Sequence, residues 1–513
     1  MRLLSTCAFA TALLSLVPTG ARAEVYTTVA ITPEALLQRA SSARGKLLSP
    51  AYREIDSTIN GTRTISNNRL VDGNDYLETS TDGPVVRSFG SFHGQDWEAN
   101  PNGVVVRMSG YAALNDPFRQ ALNAPSSAES GARILGETSE ASPSIVLELR
   151  PRDVLAQRRY YDARTYLLRR VETQTYDGHL RIREYEDYEA FNGRLIPRVS
   201  RYHDESPQNN STTRVLTIEK LAKVDSALLA IPVSKRPFSF PSDASVDIPA
   251  TFNANGIIVR LNCDGRGLDF ILDSGASGIV VDRETARSLG LSLYGNNVIT
   301  IGGDFSIATA RLSNVSLGAL HVASIAVDVV PFTLSLGDTK VVGLLGGDFF
   351  SSGAVTIDFK DQRVSIAPHL DAPPSGFSKI SIDTDRYVPM FPAAFNGKNG
   401  HFVADLGATS TVLFPHYFSK FKAPAESEDP GGFRFVGGTT GVRRYELSSF
   451  VIGDYNVQNV LVAVPSNRKV EDVDYDGLVG RDLLDSFTVI FDYPHGSMYV
   501  KPYGAAPDSL PSP

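Results

Sequence analysis

One aspartate in this 513-residue sequence stands in surroundings that favour chemistry. Asp273 lies between two apolar runs in Phe270–Val281, whose sequence is FILDSGASGIVV. The runs predict buried strands, and a carboxylate at a turn between buried strands must be paired or must shift its pKa. Such sites are candidates for function, although structural ion pairs produce them too. The triplet alone is a weak signal, because Asp-Ser/Thr-Gly is expected by chance in roughly a quarter of chains this long.

A second copy of the stretch supplies a partner for this aspartate. Asp405, in the stretch VADLGATSTVL, follows Asp273 by 132 residues. Three further landmarks repeat in the same order at offsets of 135, 134 and 134: IGG (301–303) with VGG (436–438), GLLGGDFF (343–350) with GLVGRDLL (477–484), and VTIDF (355–359) with VIFDY (489–493). Four landmarks at nearly one offset indicate an internal repeat.

Each copy predicts a small lobe that would position its aspartate. Short strands surround one modest helix after the Asp turn, at Arg283–Leu289 in the first copy and Pro415–Phe421 in the second. Two tandem lobes related by a pseudo-two-fold axis would face each other. We therefore expect Asp273 and Asp405 to meet at the interface between the lobes.

These motifs in combination resemble the retropepsin-like and pepsin-like aspartic proteases, including bacterial members, over roughly residues 249–502. Retroviral members pair two identical lobes, whereas pepsin-like members fuse two lobes in one chain. The resemblance implies that Asp273 and Asp405 are a catalytic dyad that binds one water and shares one proton. It also implies hydrolysis of peptide bonds in a peptide or protein substrate, with no metal or other cofactor.

The resemblance assigns supporting roles around the dyad. Its active-site turns are supported by Ser274, Gly275, Leu406 and Gly407, its substrate-covering flaps lie at Gly302, Gly303, Gly437 and Gly438, and the pairs Leu345-Gly346 and Val479-Gly480 back the two Asp loops. Asp348 and Asp482, just after those pairs, are expected to cap the helices that follow.

Leu406 departs from the family pattern, which has Thr or Ser at this position. The second lobe thus loses a bracing hydroxyl, and Thr409 and Ser410 are the hydroxyls available to replace it. A polar network that lacks one member can be misaligned. One alternative is therefore a noncatalytic periplasmic peptide- or lipid-binding protein with a degenerate second lobe. A narrower alternative, a dimer working through the first lobe alone, is disfavoured by the tandem repeat.

The first 235 residues carry no catalytic pattern. Ile31–Ala43 predicts one amphipathic helix with Thr32 as its N-cap, and many short alternating segments follow. Hairpin turns are expected where Asp or Asn precedes Gly, at residues 72–73, 82–83, 102–103, 177–178 and 192–193. One long strand from Tyr160 to Glu172 is expected to pair with Arg183–Tyr188. This pattern loosely resembles the curved half-barrels of periplasmic lipoprotein carriers.

The N-terminus indicates export. Arg2 precedes the apolar stretch Leu3–Val17, and Ala21-Arg22-Ala23 fits a small-x-small cleavage site, so we expect a cleaved signal peptide and a periplasmic or secreted protein. Cys263 is then the single cysteine left, which excludes an intramolecular disulfide and a cysteine-based zinc site. With a net charge of −8 and no Lys/Arg cluster, nucleic acid is an unfavourable partner.

The predicted fold class is mainly β, with an antiparallel half-barrel-like domain followed by two tandem retropepsin-like lobes in a pseudo-two-fold arrangement. The chain is expected to be a monomer, because its lobes are fused. The expected segments are a signal peptide (1–23), a β-rich accessory domain (24–235), a linker (236–248), lobe 1 (249–370), a linker (371–384), lobe 2 (385–502) and a C-terminal tail (503–513).

Overall fold

A computed structural model describes residues 26–108, 131–150, 156–174, 180–300, 304–331, 334–336, 338–372, 374–422, 425–426, 432–435, 438–466 and 475–504. The predicted signal peptide and the Asp177-Gly178 turn lie outside these residues. Within them, no helix has the length and apolar character needed to cross a membrane.

The N-terminal part forms one fourteen-stranded antiparallel sheet, which we call the N-terminal sheet. Its spatial order is β1-β8-β9-β10-β11-β12-β13-β14-β2-β3-β4-β5-β6-β7. The strands are β1 (Tyr26–Thr27), β2 (Ala51–Asn60), β3 (Arg63–Asp72), β4 (Asp75–Asp82), β5 (Val85–Phe92), β6 (Gln95–Ala99), β7 (Val105–Met108), β8 (Arg133–Thr138), β9 (Ser144–Leu149), β10 (Gln157–Asp162), β11 (Leu168–Gln174), β12 (Leu180–Phe191), β13 (Arg194–His203) and β14 (Ser211–Lys220).

Tight turns join neighbouring strands of this sheet where Asp-Gly or Asn-Gly pairs occur. The predicted hairpins at residues 72–73, 82–83, 102–103 and 192–193 all lie between paired strands. At the last one, Asn192 and Gly193 have φ of 50° and 84°, the left-handed backbone that two-residue hairpin turns require.

Helix α1 (Pro33–Arg44) packs against the N-terminal sheet. Thr32 caps it as predicted, since its hydroxyl accepts from the backbone N–H of Ala35 at 3.2 Å. Leu36 is fully buried against β9 and β10, and Gly45, just after the helix, bridges to Arg194 at the start of β13. Among the described residues of this part, the other helical segments are short: α2 (Ser226–Leu229) and a 3-10 turn (Pro207–Asn209).

Lobe 1 is built on an eight-stranded sheet in the order β16-β17-β18-β25-β19-β22-β21-β20. The elements from residue 246 to 367 are β15 (Val246–Ile248), β16 (Ala250–Asn253), β17 (Gly256–Cys263), β18 (Arg266–Leu272), β19 (Ile279–Asp282), α3 (Arg283–Ser288), β20 (Tyr294–Thr300), β21 (Asp304–Leu317), β22 (Leu320–Val330), β23 (Leu334–Leu336), β24 (Thr339–Val341), β25 (Gly343–Leu345), α4 (Gly347–Phe350), β26 (Ala354–Asp358) and β27 (Arg363–Ala367).

Lobe 2 repeats the strand order of lobe 1 from β17 onward, as β29-β30-β36-β31-β35-β34-β32, with β33 also paired to β34. Its elements are β28 (Ser378–Ser381), β29 (Met390–Phe395), β30 (Lys398–Ala404), β31 (Val412–Leu413), α5 (Pro415–Phe418), β32 (Ala425–Glu426), β33 (Gly432–Phe435), β34 (Gly438–Ile452), β35 (Tyr455–Pro465), β36 (Gly477–Val479), α6 (Arg481–Leu484), β37 (Phe487–Asp492), a 3-10 turn (Tyr493–His495) and β38 (Ser497–Pro502).

A six-stranded sheet, β15-β27-β26-β37-β38-β28, takes three strands from each copy of the repeat and joins them. Two of these strands, β15 and β28, lie in segments that the sequence predicted as linkers. At its centre Thr356 pairs with Ile490, which is its own equivalent in the repeat. A residue that faces its own copy marks the axis of a two-fold arrangement. The predicted mainly β fold, with an antiparallel N-terminal sheet followed by two repeated lobes, is confirmed.

Candidate active site

The two aspartates lie at equivalent places at the ends of paired strands. Strand β18 runs parallel to β25, and β30 runs parallel to β36, so each Asp loop leaves its strand beside an apolar-Gly pair. The backbone N–H of Asp273 donates to the carbonyl of Leu345 at 3.0 Å, and that of Asp405 donates to Val479 at 2.9 Å. These bonds fix the backbone of both aspartates at equivalent places.

The structure brings the two carboxyl groups together between the lobes. Their side chains are in hydrogen-bonding contact, and the residues are only 8% and 9% exposed. A Cβ on Gly275 would lie 2.5 Å from Cγ of Asp405, and a Cβ on Gly407 would lie 2.5 Å from Cγ of Asp273. Each glycine is therefore required by the close approach of the opposite carboxylate.

A second pair of glycines packs directly against the two Asp loops. A Cβ on Gly346 would lie 2.3 Å from the carbonyl oxygen of Ala276, and one on Gly480 would lie 2.6 Å from the carbonyl carbon of Ser410. The apolar-Gly pairs thus lie against both Asp loops, where the sequence placed them.

The environment of the carboxyl pair makes ionisation of both groups costly. Burial, together with the neighbouring Asp405 carboxylate, raises the pKa of Asp273 well above its usual range. Burial also raises the pKa of Asp405, although hydrogen bonds from Asp273 and from the N–H groups of Gly407 and Ala408 partly offset this. The pair therefore titrates as a unit that retains one proton over part of the pH range.

One serine bridges the lobes beneath the dyad. The hydroxyl of Ser274 donates to the carbonyl of Ala404 at 2.6 Å and accepts from the N–H of Leu406 at 2.9 Å. By the 132-residue repeat, a hydroxyl at position 406 would make the reciprocal bonds to Leu272 and Ser274. Leu406 is instead fully buried in the apolar core, so the bridge is one-sided.

Sequence reasoning missed Tyr493 as a neighbour of this bridge. Its buried hydroxyl donates to the carbonyl of Ser274 at 3.3 Å, and its ring stacks on Phe350 at 5.3 Å. The repeat places Phe359 at the equivalent position of lobe 1. The hydroxyl that only the second copy carries was therefore a signal in the sequence that Tyr493 has a role of its own. Thr409 is exposed and does not replace the lost hydroxyl.

Asp348 and Asp482 do not cap helices, so that expectation was wrong. Each lies inside a short helix whose N-cap position is a glycine without a side-chain cap. In lobe 2, Asp482 accepts from the hydroxyl of Thr411 at 2.7 Å and from its N–H at 2.9 Å. These carboxylates brace the loops that follow the two Asp turns.

Lobe 1 obtains the same bracing from the N-terminal sheet. Ile279 occupies the position of Thr411 and has no hydroxyl; instead the side-chain amide of Asn100, in the β6–β7 turn, donates to Asp348 at 2.8 Å. Asn102 in the same turn bonds to both backbone groups of Ala326, at 2.7 and 3.0 Å. Burial raises the pKa of Asp348 to about 6.

The strands on the two sides of each Gly-Gly motif pair with each other. In lobe 1, Thr300 pairs with Asp304 across residues 301–303, and in lobe 2, Phe435 pairs with Gly438 across residues 436–437. Gly302, Gly303 and Gly437 lie outside the described residues, and the backbone of Gly438 begins β34.

The N-terminal sheet also holds strand β20 of lobe 1, which precedes the predicted flap. The side chain of Asn209 donates to the carbonyl of Val298 at 2.8 Å and accepts from its N–H at 2.7 Å. β20 is an edge strand, so this amide acts as a one-residue strand partner. Across the described ranges, no three His, Cys, Asp or Glu side chains are grouped to hold a metal ion.

Comparison with known proteins agrees with this geometry. The aspartyl protease family model matches residues 259–349 and again 391–483. The resemblance to aspartyl proteases is confirmed. The two matches repeat in tandem and end within the α4 and α6 helices, so each aspartyl protease-like segment contains one Asp loop and its apolar-Gly pair.

Solved structures of two kinds are similar to parts of the chain. An aspartic proteinase from Irpex lacteus is 14% identical, with a TM-score of 0.37, over 50% of this chain and 97% of that one. A LolA superfamily protein from Nitrosomonas europaea is 16% identical, with a TM-score of 0.31, over 39% and 98%. None of the curated proteins compared with the sequence matches it.

Proposed function

We propose that this chain is an exported aspartic-type endopeptidase in which Asp273 and Asp405 activate a water molecule. The observation that carries the proposal is the meeting of the two carboxyl groups, each against the glycine of the opposite loop. Such a pair, with one member ionised and one protonated, is suited to acid-base hydrolysis. The N-terminal sequence pattern supports export into the periplasm or beyond.

The chemistry follows from the shared proton. The ionised carboxylate takes a proton from the water as the water oxygen attacks the carbonyl carbon of the peptide bond. The protonated carboxyl donates to the carbonyl oxygen and stabilises the negative charge that develops there. Return of a proton to the amide nitrogen then lets the C–N bond break. The flaps at Gly302-Gly303 and Gly437-Gly438 would cover an extended peptide or protein substrate.

The proposal predicts a pH-dependent peptidase that needs both aspartates. Purified mature protein is incubated with a mixed peptide library from about pH 3 to 7, where a carboxyl dyad titrates. Cleavage should fall at low pH, when the base is protonated. It should also fall at high pH, when the shared proton is lost, and the raised pKa of Asp273 moves that upper limb upward.

Two isosteric variants distinguish the two-lobed peptidase from a dimer of first lobes and from a noncatalytic binding protein. Asp273→Asn and Asp405→Asn should each abolish cleavage if both carboxyls act. Cleavage lost only in Asp273→Asn points to a dimer of first lobes. No cleavage at any pH, with peptide or lipid still bound, would favour the noncatalytic binding protein, for which the one-sided bridge at Leu406 is the supporting observation.

A further inference from the structure

The N-terminal sheet contains a cavity of about 260 Å³ that the proposed peptidase chemistry does not use. It opens between strands β2, β3, β12, β13 and β14 and the end of helix α1. Apolar side chains, among them Phe191 and Ile196, form part of its wall, and the hydroxyl-bearing rings of Tyr52 and Tyr185 form another part.

Arginines outnumber carboxylic acids among the residues that line the cavity, in a protein whose net charge is −8. Four arginines (Arg44, Arg69, Arg194 and Arg198) face two carboxylic acids (Glu54 and Asp56), so the lining carries an excess of two positive charges before acids outside the lining are counted. Burial raises the pKa of both acids, so neutralisation of either would increase that excess.

Two of the four arginines have acidic partners. The Nε of Arg198 lies 3.3 Å from Glu189, and that of Arg69 lies 3.8 Å from Glu78. Arg44 and Arg194 differ, because neither forms an ion pair with any carboxylate in the part of the chain that the structure describes.

The backbone holds these two arginines side by side. Gly45 and Arg194 form an antiparallel bridge, and a Cβ on Gly45 would lie 2.4 Å from the carbonyl oxygen of Gly193, so the strand start and the helix end are in direct contact. The buried Nε of Arg194 has no hydrogen-bond partner. Burial and the neighbouring Arg44 lower the pKa of Arg194.

An unpaired buried donor and two adjacent like charges both cost free energy, and a bound anion would relieve both. We propose that this cavity binds a small anionic molecule whose carboxylate or phosphate lies between Arg44 and Arg194. Guanidinium groups match either anion with two parallel hydrogen bonds. The apolar wall at Phe191 and Ile196 would receive a short apolar part of the ligand.

The rival explanation is that Arg44 serves only to stabilise the C-terminal end of helix α1. It lies in the last turn of that helix, where a cation is stabilised by the helix dipole. This accounts for Arg44 but not for Arg194, which begins a strand and has a buried donor without an acceptor.

Calorimetric titration of the full chain tests the proposal with three probes: inorganic phosphate, hexanoate and the uncharged hexanamide. We expect phosphate or hexanoate to bind, hexanamide not to bind, and added salt to weaken binding. Arg44→Gln and Arg194→Gln should each raise the Kd by about tenfold or more, a change of about 1.4 kcal/mol. The matched control is Arg201→Gln, on the same strand but paired with Glu186 at 3.0 Å, and it should leave the Kd unchanged.

Preference between the anions identifies the source, since tighter phosphate binding indicates a phosphorylated ligand and tighter hexanoate binding indicates a carboxylate. If neither anion binds near about 1 mM, or if the control weakens binding as much as the two cavity variants, the proposal is wrong. Circular dichroism checks that each variant is folded. Should Arg194→Gln fail to fold, Arg44→Gln carries the same test from the end of helix α1. The readout is independent of peptide cleavage.

Discussion

The hydrogen bond between Asn100 and Asp348 joins two parts of the chain that lie 248 residues apart, and it offers a sharp perturbation. Asn100→Asp keeps the side-chain oxygen that accepts from the backbone N–H groups of Asn102 and Val104 at 2.9 and 3.1 Å. It therefore preserves the β6–β7 turn and replaces only the amide group of Asn100, while the side chain of Asn102 and the N–H of Ile279 still donate to Asp348.

The expected loss of stability depends on pH. In the wild type, the pKa of Asp348 is about 6, against a usual 3.8, so protonated Asp348 stabilises the folded protein at low pH. About 3 kcal/mol of folding stability is lost as the pH rises through 6 and Asp348 ionises.

At pH 8 the variant loses a hydrogen bond to a charged group, which costs about 1.5–3 kcal/mol. It also gains a like charge, whose repulsion at about 3 Å and a dielectric constant of about 20 is about 5 kcal/mol. Since the turn can move or retain a proton, we expect a loss of about 3–5 kcal/mol at pH 8. At pH 5 Asp348 is mostly protonated and can donate to the new carboxylate, so the loss should be below about 1 kcal/mol.

Urea unfolding at pH 5 and pH 8 measures this difference. Trp97, the only tryptophan, is buried in β6 and reports on this turn by its fluorescence. The double variant Asn100→Asp with Asp348→Asn restores an amide-carboxylate pair with the roles exchanged, and should recover most of the loss at pH 8. Equal losses at the two pH values, or a double variant as unstable as the single one, would refute the reasoning.

Two further predictions concern catalysis and are read with a peptide that the library assay identifies. Ser274→Ala removes both hydrogen bonds of the one-sided bridge, so kcat/KM should fall by about tenfold or more. Leu406→Thr should cleave at least as fast as the wild type, but its free energy of unfolding should fall by about 1–2 kcal/mol. Unchanged cleavage in Ser274→Ala would show that the bridge does not position the dyad. Asn209→Ala removes the two hydrogen bonds that hold the outer edge of β20, so KM should rise several-fold. The amide hydrogen of Val298 should also exchange faster with solvent. Hydrogen exchange as slow as in the wild type would mean that other contacts hold the strand.

Much of the site could be predicted because the repeat itself encodes it. The offset between Asp273 and Asp405 implied equal lobes, and equal lobes imply an axis at which equivalent residues meet, as Thr356 and Ile490 do. The glycines beside the aspartates were readable for the same reason, since close packing across that axis leaves no room for a Cβ.

Other features depend on contacts that a linear pattern does not record. The predicted strand from Tyr160 to Glu172 is in fact two strands, because the carboxylate of Asp162 accepts from the N–H groups of Arg164 and Thr165 and closes a turn. The bond between Asn100 and Asp348 is also hidden in the sequence, because nothing local distinguishes Asn100 from any other turn asparagine.

Two contacts made from outside lobe 1 explain how an unequal repeat can still present an equal pair of carboxyl groups. Lobe 2 lost the hydroxyl at position 406 that would have braced the turn of lobe 1, and the hydroxyl of Tyr493 now reaches that turn at Ser274. Lobe 1 lacks the hydroxyl that Thr411 supplies to lobe 2, and Asn100 replaces it from the N-terminal sheet. Both losses fall around the Asp273 loop, and both replacements come from outside lobe 1. The N-terminal sheet is therefore part of the support of the dyad, and a chain lacking it should lose the bracing of Asp348 that the intact chain retains.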